Sequence, residues 1–187
     1  MSKLICLIGP SGVGKTTLRK YVVKNYPTID YLPSITTRTP REKEVHGEDY
    51  FFVSIEEFKE LITSNKLLEW EEHFGHYYGI SKDLFEKKLT AGISLIKEIG
   101  IGGYQQILKS VSDVKSIYSI FLQPESLVDL TQRIKQRGDQ DLDIRLKNAE
   151  TELKGMELCH HTIVVRQGQL NALQTEVNKI IDQQINI

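Results

Sequence analysis

Gly9-Pro10-Ser11-Gly12-Val13-Gly14-Lys15-Thr16 satisfies in full the pattern G-x-x-x-x-G-K-[ST]. Its glycines let the backbone curl so that successive N–H groups point inward and form a nest for phosphate oxygens. Gly14-Lys15-Thr16 then opens a helix whose N-terminal dipole adds to the attraction for anions. Lys15 brings a positive point charge to the outer phosphates. The Thr16 hydroxyl is a candidate ligand for Mg²⁺, a hard cation that prefers oxygen. The pattern has this meaning only between a strand and a helix, and the flanks supply both. Lys3 to Ile8 is short, apolar and stopped by Gly9-Pro10, which predicts a buried strand. Leu18, Val22 and Val23 suit one face of a helix over Lys15 to Asn25.

Outward from this loop, strands alternate with helices at both ends of the chain. Strands are predicted at Leu67 to Phe74, Ile93 to Ile99, Ser116 to Leu122 and Thr162 to Val165. Helices are predicted over Gly102 to Ser110, from Pro124-Glu125-Ser126 towards Arg137, over Asp143 to Lys154, and over Leu170 to Ile185. Ser54-Ile55-Glu56-Glu57 has capping-box spacing, with Phe58, Leu61 and Ile62 following at helical period. The alternation predicts βαβ units on a parallel sheet. Residues 34 to 80 break it and read as an inserted region that handles a substrate. Tyr31 to Thr37 enters that region as one extended stretch.

The chain has 187 residues, a length that fits one domain with a sizeable insertion. With 24 Lys+Arg against 25 Asp+Glu, its formal net charge is −1, without the broad basic footprint of a nucleic-acid binder. Any anion site must be local. The opening apolar run, Leu4 to Ile8, is too short for a secretory core, and no stretch reaches the length of a membrane span. Cys6 and Cys159 form no disulfide framework, so a reducing cytoplasm is expected. Cys159-His160-His161 lacks a second ligand pair at metal spacing.

A second anion site is suggested by Ser34-Ile35-Thr36-Thr37-Arg38-Thr39-Pro40-Arg41, followed by Tyr50. Arginine offers phosphate a planar fork of donors, and tyrosine hydroxyls donate single bonds. With the phosphate loop, Gly47 to Val53, Leu68-Glu69-Trp70, Tyr77-Tyr78-Gly79 and Arg133 to Gly138, the chain resembles the guanylate kinase family along essentially its whole length.

The resemblance implies a P-loop α/β fold with three layers: a core with a parallel sheet (1–33, 81–123 and 156–187), an inserted mixed α/β region binding the nucleoside monophosphate (34–80), and a short helical lid (124–155). Ser11, Gly12, Val13, Gly14, Lys15, Thr16 and Thr17 would contact ATP. Arg38, Arg41, Tyr50 and Tyr78 would bind the acceptor's 5′-phosphate, with Ser34 and Glu69 reading guanine. Lys15, Arg38, Arg133, Arg137 and Arg145 would carry the charge for transfer, and Thr16, with Glu98 through water, would hold Mg²⁺. The implied partners are small nucleotides.

Several positions depart from the family pattern. Where the family usually has Asp-x-Asp-x-Gln-Gly, this chain has Glu98-Ile99-Gly100-Ile101-Gly102-Gly103. Gly100 thus lacks a carboxylate that helps to read guanine. Ile80 replaces a hydroxyl residue after Tyr77-Tyr78-Gly79. Each lost partner is worth about 1–3 kcal/mol, so uncompensated losses lower discrimination on the order of 10²–10⁴-fold. His73, His76 and Lys97 are the nearby candidates for compensation. The segment from Gly138 to Arg145 is shorter than usual, and Arg166-Gln167 follows the late strand where Asn-Asp is common. The leading expectation is transfer of the γ-phosphoryl group of ATP to GMP or dGMP. The alternatives are a kinase of this fold for another or a modified nucleoside monophosphate, motivated by space expected at Gly100 and Ile80, and a binding module with little or no turnover.

Overall fold

The computed structural model describes residues 2–73, 75–136 and 142–185. In chain order the elements are β1 (Leu4–Ile8), α1 (Lys15–Asn25), β2 (Ile29–Tyr31), β3 (Ser34–Thr36), β4 (Tyr50–Phe52), α2 (Ile55–Thr63), β5 (Leu67–His73), β6 (His76–Ser81), α3 (Lys82–Thr90), β7 (Ser94–Glu98), α4 (Ile101–Ser110), β8 (Ile117–Pro124), α5 (Leu127–Gln136), α6 (Leu142–Lys154), β9 (His161–Val165) and α7 (Leu170–Ile185). They form two sheets.

The larger sheet has the order β2-β7-β1-β8-β9, and all its pairings are parallel. All five residues of β1 are buried, because the strand is central and covered on both faces. Alternation divides them. Ile5 and Leu7 join Leu18, Val22, Val177 and Ile181 on one side of the sheet, while Leu4, Cys6 and Ile8 join Phe85, Tyr104 and Ile107 on the other. Helices on two sides of a parallel sheet give the three-layer architecture expected from the phosphate loop. They also place that loop, at the C-terminal end of β1, beside Glu98, at the C-terminal end of β7. Open α/β sheets bind ligands in such crevices.

The smaller sheet, ordered β4-β3-β6-β5, mixes parallel and antiparallel pairs. Its apolar centre is Ile35, Phe58 and Leu67, with Phe58 stacked on Tyr77 at 5.4 Å between ring centroids. The capping box at Ser54 forms as its spacing predicts: Ser54 Oγ accepts from the Glu57 N–H at 3.1 Å, and the Ser54 N–H donates to Glu57 Oε2 at 2.7 Å.

One local reading changes. The extended stretch Tyr31 to Thr37 is two strands in two sheets: β2 pairs with β7, whereas β3 pairs with β4 and β6. The change of sheet occurs across Leu32-Pro33, where proline offers no N–H to continue a ladder. The strands β4 and β6 and the helix α3 add order that periodicity did not reveal. Ser81 caps α3 by accepting from the Leu84 N–H at 3.2 Å, a signal hidden by the preceding strand. Arg137, expected among the lid arginines, lies outside the described residues.

Candidate active site

At the phosphate loop the geometry is backbone geometry. Gly9 has φ +139°, and a Cβ there would lie 2.4 Å from the Leu122 carbonyl oxygen, so only glycine lets the chain pass over β8. Gly14, with φ +115°, caps α1. Lys15 Nζ reaches back across the loop, donating to the Gly9 carbonyl and, at 3.1 Å, to the Pro10 carbonyl. The Val13 side chain is fully buried in the core, leaving its main chain to face the loop. Arg133 and Arg145, both expected in the lid, meet the same loop. Arg145 Nη1 donates to Ser11 Oγ at 2.8 Å, and Arg133 Nη1 points to the Val13 carbonyl at 3.4 Å. Arg133 also lines a cavity of about 210 Å³ with Gly14, Thr17, Arg166 and Gln167.

Glu98 joins this loop to the rest of the site. Its Oε2 accepts from Thr16 Oγ1 at 2.8 Å, and its Oε1 accepts from Arg19 Nε at 2.7 Å. The Arg19 guanidinium in turn lies 4.0 Å from the centroid of the Tyr31 ring. Two hard oxygens facing each other fit Mg²⁺, which takes few protein ligands and fills its octahedron with phosphate and water oxygens.

From Thr16 and Glu98 a cavity of about 680 Å³ opens towards the smaller sheet. Ser34, Arg41, Tyr50, Glu69 and Tyr78, all expected in the acceptor site, line it together. Arg38 stands behind this wall: its Nη2 donates to both oxygens of Glu44, at 2.8 and 2.9 Å, and its guanidinium lies 5.3 Å from the Tyr50 ring centroid. Burial pushes the Glu44 carboxyl up, but bonds from Arg38 and the Arg41 N–H outweigh this and leave it below the ordinary carboxylate range.

The deep end of the cavity is polar and buried. Ser34, Glu69 and Lys97 are 7%, 6% and 3% exposed. Lys97 Nζ donates to Ser34 Oγ at 2.5 Å. Burial drives the Glu69 carboxyl up and the Lys97 ammonium down, each towards its neutral form, and the opposite charge of the partner is the largest force resisting either change.

The vacancy expected at Gly100 is filled. A Cβ on Gly100 would lie 2.9 Å from Glu152 Oε1 and 3.3 Å from Glu71 Oε2. On Gly102 it would lie 2.3 Å from Glu71 Oε1, and on Gly103 2.7 Å from Glu69 Oε2. Carboxylates carried by β5 and α6 thus fold over the glycines that open α4. Glu152 also accepts from the Ile101 N–H at 3.1–3.2 Å, capping that helix. Ile80 opens no space either, since it is fully buried in the core with Leu68 and Phe85. Of the candidates for compensation, Lys97 and His73 reach the cavity wall. His73 Nε2 lies 3.1 Å from Glu71 Oε2, and this hydrogen bond raises the imidazole above its ordinary pKa.

Arg19, Glu44, Glu71 and Glu152 were not singled out from the sequence. For Glu71 a signal existed: Glu69, Glu71 and His73 alternate along one strand and therefore share a face. A second cavity, of about 240 Å³, shares His73 and Gly100 with the first and extends to Lys15 and Arg145. The loop at Lys15 and the wall carrying Ser34 and Glu69 therefore border adjoining chambers.

Among the described residues no helix is long and apolar enough to cross a membrane. The guanylate kinase family profile matches residues 1–184. A guanylate kinase of Thermosynechococcus vestitus is 41% identical over 154 residues, covering 81% of this chain and 79% of that protein. A guanylate kinase of Bacillus cereus is 43% identical over 171 residues, with 89% and 82% coverage. The crystal structure of guanylate kinase from Anaplasma phagocytophilum superposes with a TM-score of 0.74 at 26% identity, covering 98% of this chain and 86% of that one.

Proposed function

The chain belongs to the guanylate kinase family, and we infer from that premise that it transfers the γ-phosphoryl group of ATP to GMP or dGMP across the two adjoining chambers. The observation that carries the reading is continuity. One cavity wall runs from Thr16, in the phosphate loop, through Glu98 to Ser34 and Glu69, so a donor phosphate chain and an acceptor nucleotide meet end to end.

Phosphoryl transfer asks little covalent chemistry of the protein and much positioning and charge. In this reading the phosphate loop residues Ser11 to Thr17 hold ATP, and Lys15 carries positive charge to its outer phosphates. Arg41, Tyr50 and Tyr78 receive the acceptor phosphate. Arg38 leaves Glu44 to join them, or holds the Arg41 segment in place through it. Glu69 accepts from the guanine N1–H and amine, and Ser34 faces the base oxygen. Ser34 Oγ accepts from Lys97, so its own proton points elsewhere and is available to a carbonyl. Thr16 and Glu98 are the residues that would hold Mg²⁺, which supplies charge neutralisation on the phosphates. Arg133 and Arg145, with Arg137, belong to a lid over 124–155. Its closure on the phosphates, beside the 34–80 acceptor region and the core (1–33, 81–123 and 156–187), would exclude water that hydrolyses ATP. The reading places the enzyme in the cytoplasm, where its two free cysteines stay reduced.

A coupled assay with ATP and Mg²⁺ across GMP, dGMP, AMP, CMP, UMP and dTMP tests this. Turnover restricted to the guanine nucleotides is expected. Preference for another base would replace the acceptor, and tight ATP binding without turnover of any acceptor would make the chain a binding module.

A further inference from the structure

We propose that Glu71 is a second base-reading carboxylate, delivered from β5 to accept a hydrogen bond from the exocyclic amine of the acceptor guanine. The proposal rests on the GMP-kinase reading above and deepens it.

The argument begins with a shortage of acceptors. The Watson–Crick edge of guanine carries three N–H bonds: one on N1 and two on the amine. A single carboxylate, Glu69, pairs with N1–H and one amine proton. The second amine proton, once taken from water, needs an acceptor of its own or costs the desolvation of an unpaired donor. The cavity wall beside Glu69 supplies one. Glu71 lies two residues further along the same strand, on the same face, and lines the same cavity.

Their carboxylates rest over successive residues of one turn. A Cβ on Gly102 would meet Glu71 Oε1, and a Cβ on Gly103 would meet Glu69 Oε2. The glycines create this room, since any side chain at 102 would occupy the site of Glu71's oxygen. His73 engages Oε2 of Glu71 at 3.1 Å, which holds the carboxylate against the turn, and each carboxylate oxygen keeps a lone pair for a further donor. At 24% side-chain exposure Glu71 is open enough to meet a ligand, unlike Glu152, which is committed to the Ile101 N–H at the start of α4. The strand end after Glu98 therefore lacks a carboxylate without the pocket lacking one.

The test compares GMP with IMP, whose base is identical except for the missing amine. In the wild type, KM for GMP should lie well below that for IMP, read as Ki against GMP if IMP turns over slowly. Glu71→Ala should raise KM for GMP about 10–100-fold. It should leave IMP, the KM for ATP and kcat within about twofold, so that the two bases become nearly equivalent. Gly102→Ala, which retains the carboxylate but displaces it, should shift the GMP:IMP ratio in the same direction. Parallel loss of GMP and IMP would reduce Glu71 to a structural role and overturn the proposal, as would an unchanged ratio in both variants. A wild type that does not phosphorylate GMP overturns the function reading and this inference together. A wild type that does, with a GMP:IMP ratio insensitive to both changes, overturns the inference alone.

Discussion

In the phosphate loop, the backbone nest and the lysine expected to hold phosphate come from eight consecutive residues, Gly9 to Thr16. At the polar end of the larger cavity, proposed to take the acceptor base, Ser34 arrives on β3, Glu69 and Glu71 on β5 and Lys97 on β7, with Glu152 of α6 beside Glu71 over Gly100. The first site is a property of local backbone conformation, fixed by glycines at positive φ. The second is a property of packing, in which a position can lose its side chain while a different element supplies the missing group. A local site therefore tolerates no rewriting, whereas a packed one can be rewritten with its chemistry conserved.

The largest expected effect breaks the local site. Lys15→Ala should lower kcat on the order of 10³-fold or more, since a charge aimed at the transferring group is lost. A melting temperature close to that of the wild type, measured alongside, would show that the loss is one of chemistry and not of folding. Turnover at the wild-type rate would show that the donor phosphates sit elsewhere. Next comes Glu69→Gln, which preserves volume at the packed site. It should raise KM for GMP about 10²-fold while leaving KM for ATP unchanged. It should also lower thermal stability, because the buried Lys97 ammonium then loses the charge that most opposes its neutralisation. Equal losses for GMP and ATP would indicate damage to the fold and not to base reading.

How much of each region could be read in advance follows from the same contrast. The phosphate loop, its strand and its helix were legible because contiguous residues dictate them; α1 runs from Lys15 to Asn25 as the periodicity predicts. At the cavity wall, the chemistry of Arg38, Arg41 and Tyr50 suggested an anion site, whereas Glu69 and Tyr78 were singled out only through the family resemblance. The division of Tyr31 to Thr37 between two sheets was not legible, because extended backbone has the same period whichever neighbour it pairs with. Gly100 was misread as a gap for a related reason. A sequence shows where a side chain is missing, but not that Glu71, 29 positions earlier, occupies its place.

Gly100→Asp sharpens this last point. If the pocket were simply lacking a carboxylate, restoring one would tighten GMP. In the structure the restored Cβ meets Glu152 Oε1 at 2.9 Å and Glu71 Oε2 at 3.3 Å, so a third negative charge would enter a space already holding two. KM for GMP should therefore rise, by a factor of about 2–10, as like charges at close range cost on the order of 1 kcal/mol at partly exposed sites. In a Glu71→Ala background the sign should reverse, with Gly100→Asp improving GMP binding. A gain in the single variant would mean that Glu71 does not occupy the functional position.

The smallest effect concerns the pair that holds Glu71 in place. His73 has a pKa raised above its ordinary 6.5, chiefly by its hydrogen bond to Glu71. The native state thus binds that proton more tightly than the unfolded chain does. The resulting stabilisation is fully present below the ordinary imidazole value and disappears as pH rises through the raised one. Since the His73 side chain is 49% exposed, solvent screens the pair and the contribution should amount to no more than a few tenths of a kcal/mol. The wild type should accordingly outlast His73→Gln slightly in thermal denaturation below the ordinary imidazole pKa, with the difference fading as pH rises above it. The same proton should affect base reading, because an imidazolium fixes the Glu71 carboxylate more firmly than a neutral ring. The GMP:IMP preference should therefore decline over the same interval in the wild type and stay flat in His73→Gln. A stability difference that grew with pH would reverse the sign and remove His73 from the support of Glu71. At the phosphate loop, where backbone groups do not titrate, no comparable drift in KM for ATP is expected. The packed site should respond to a proton that leaves the local site unaffected.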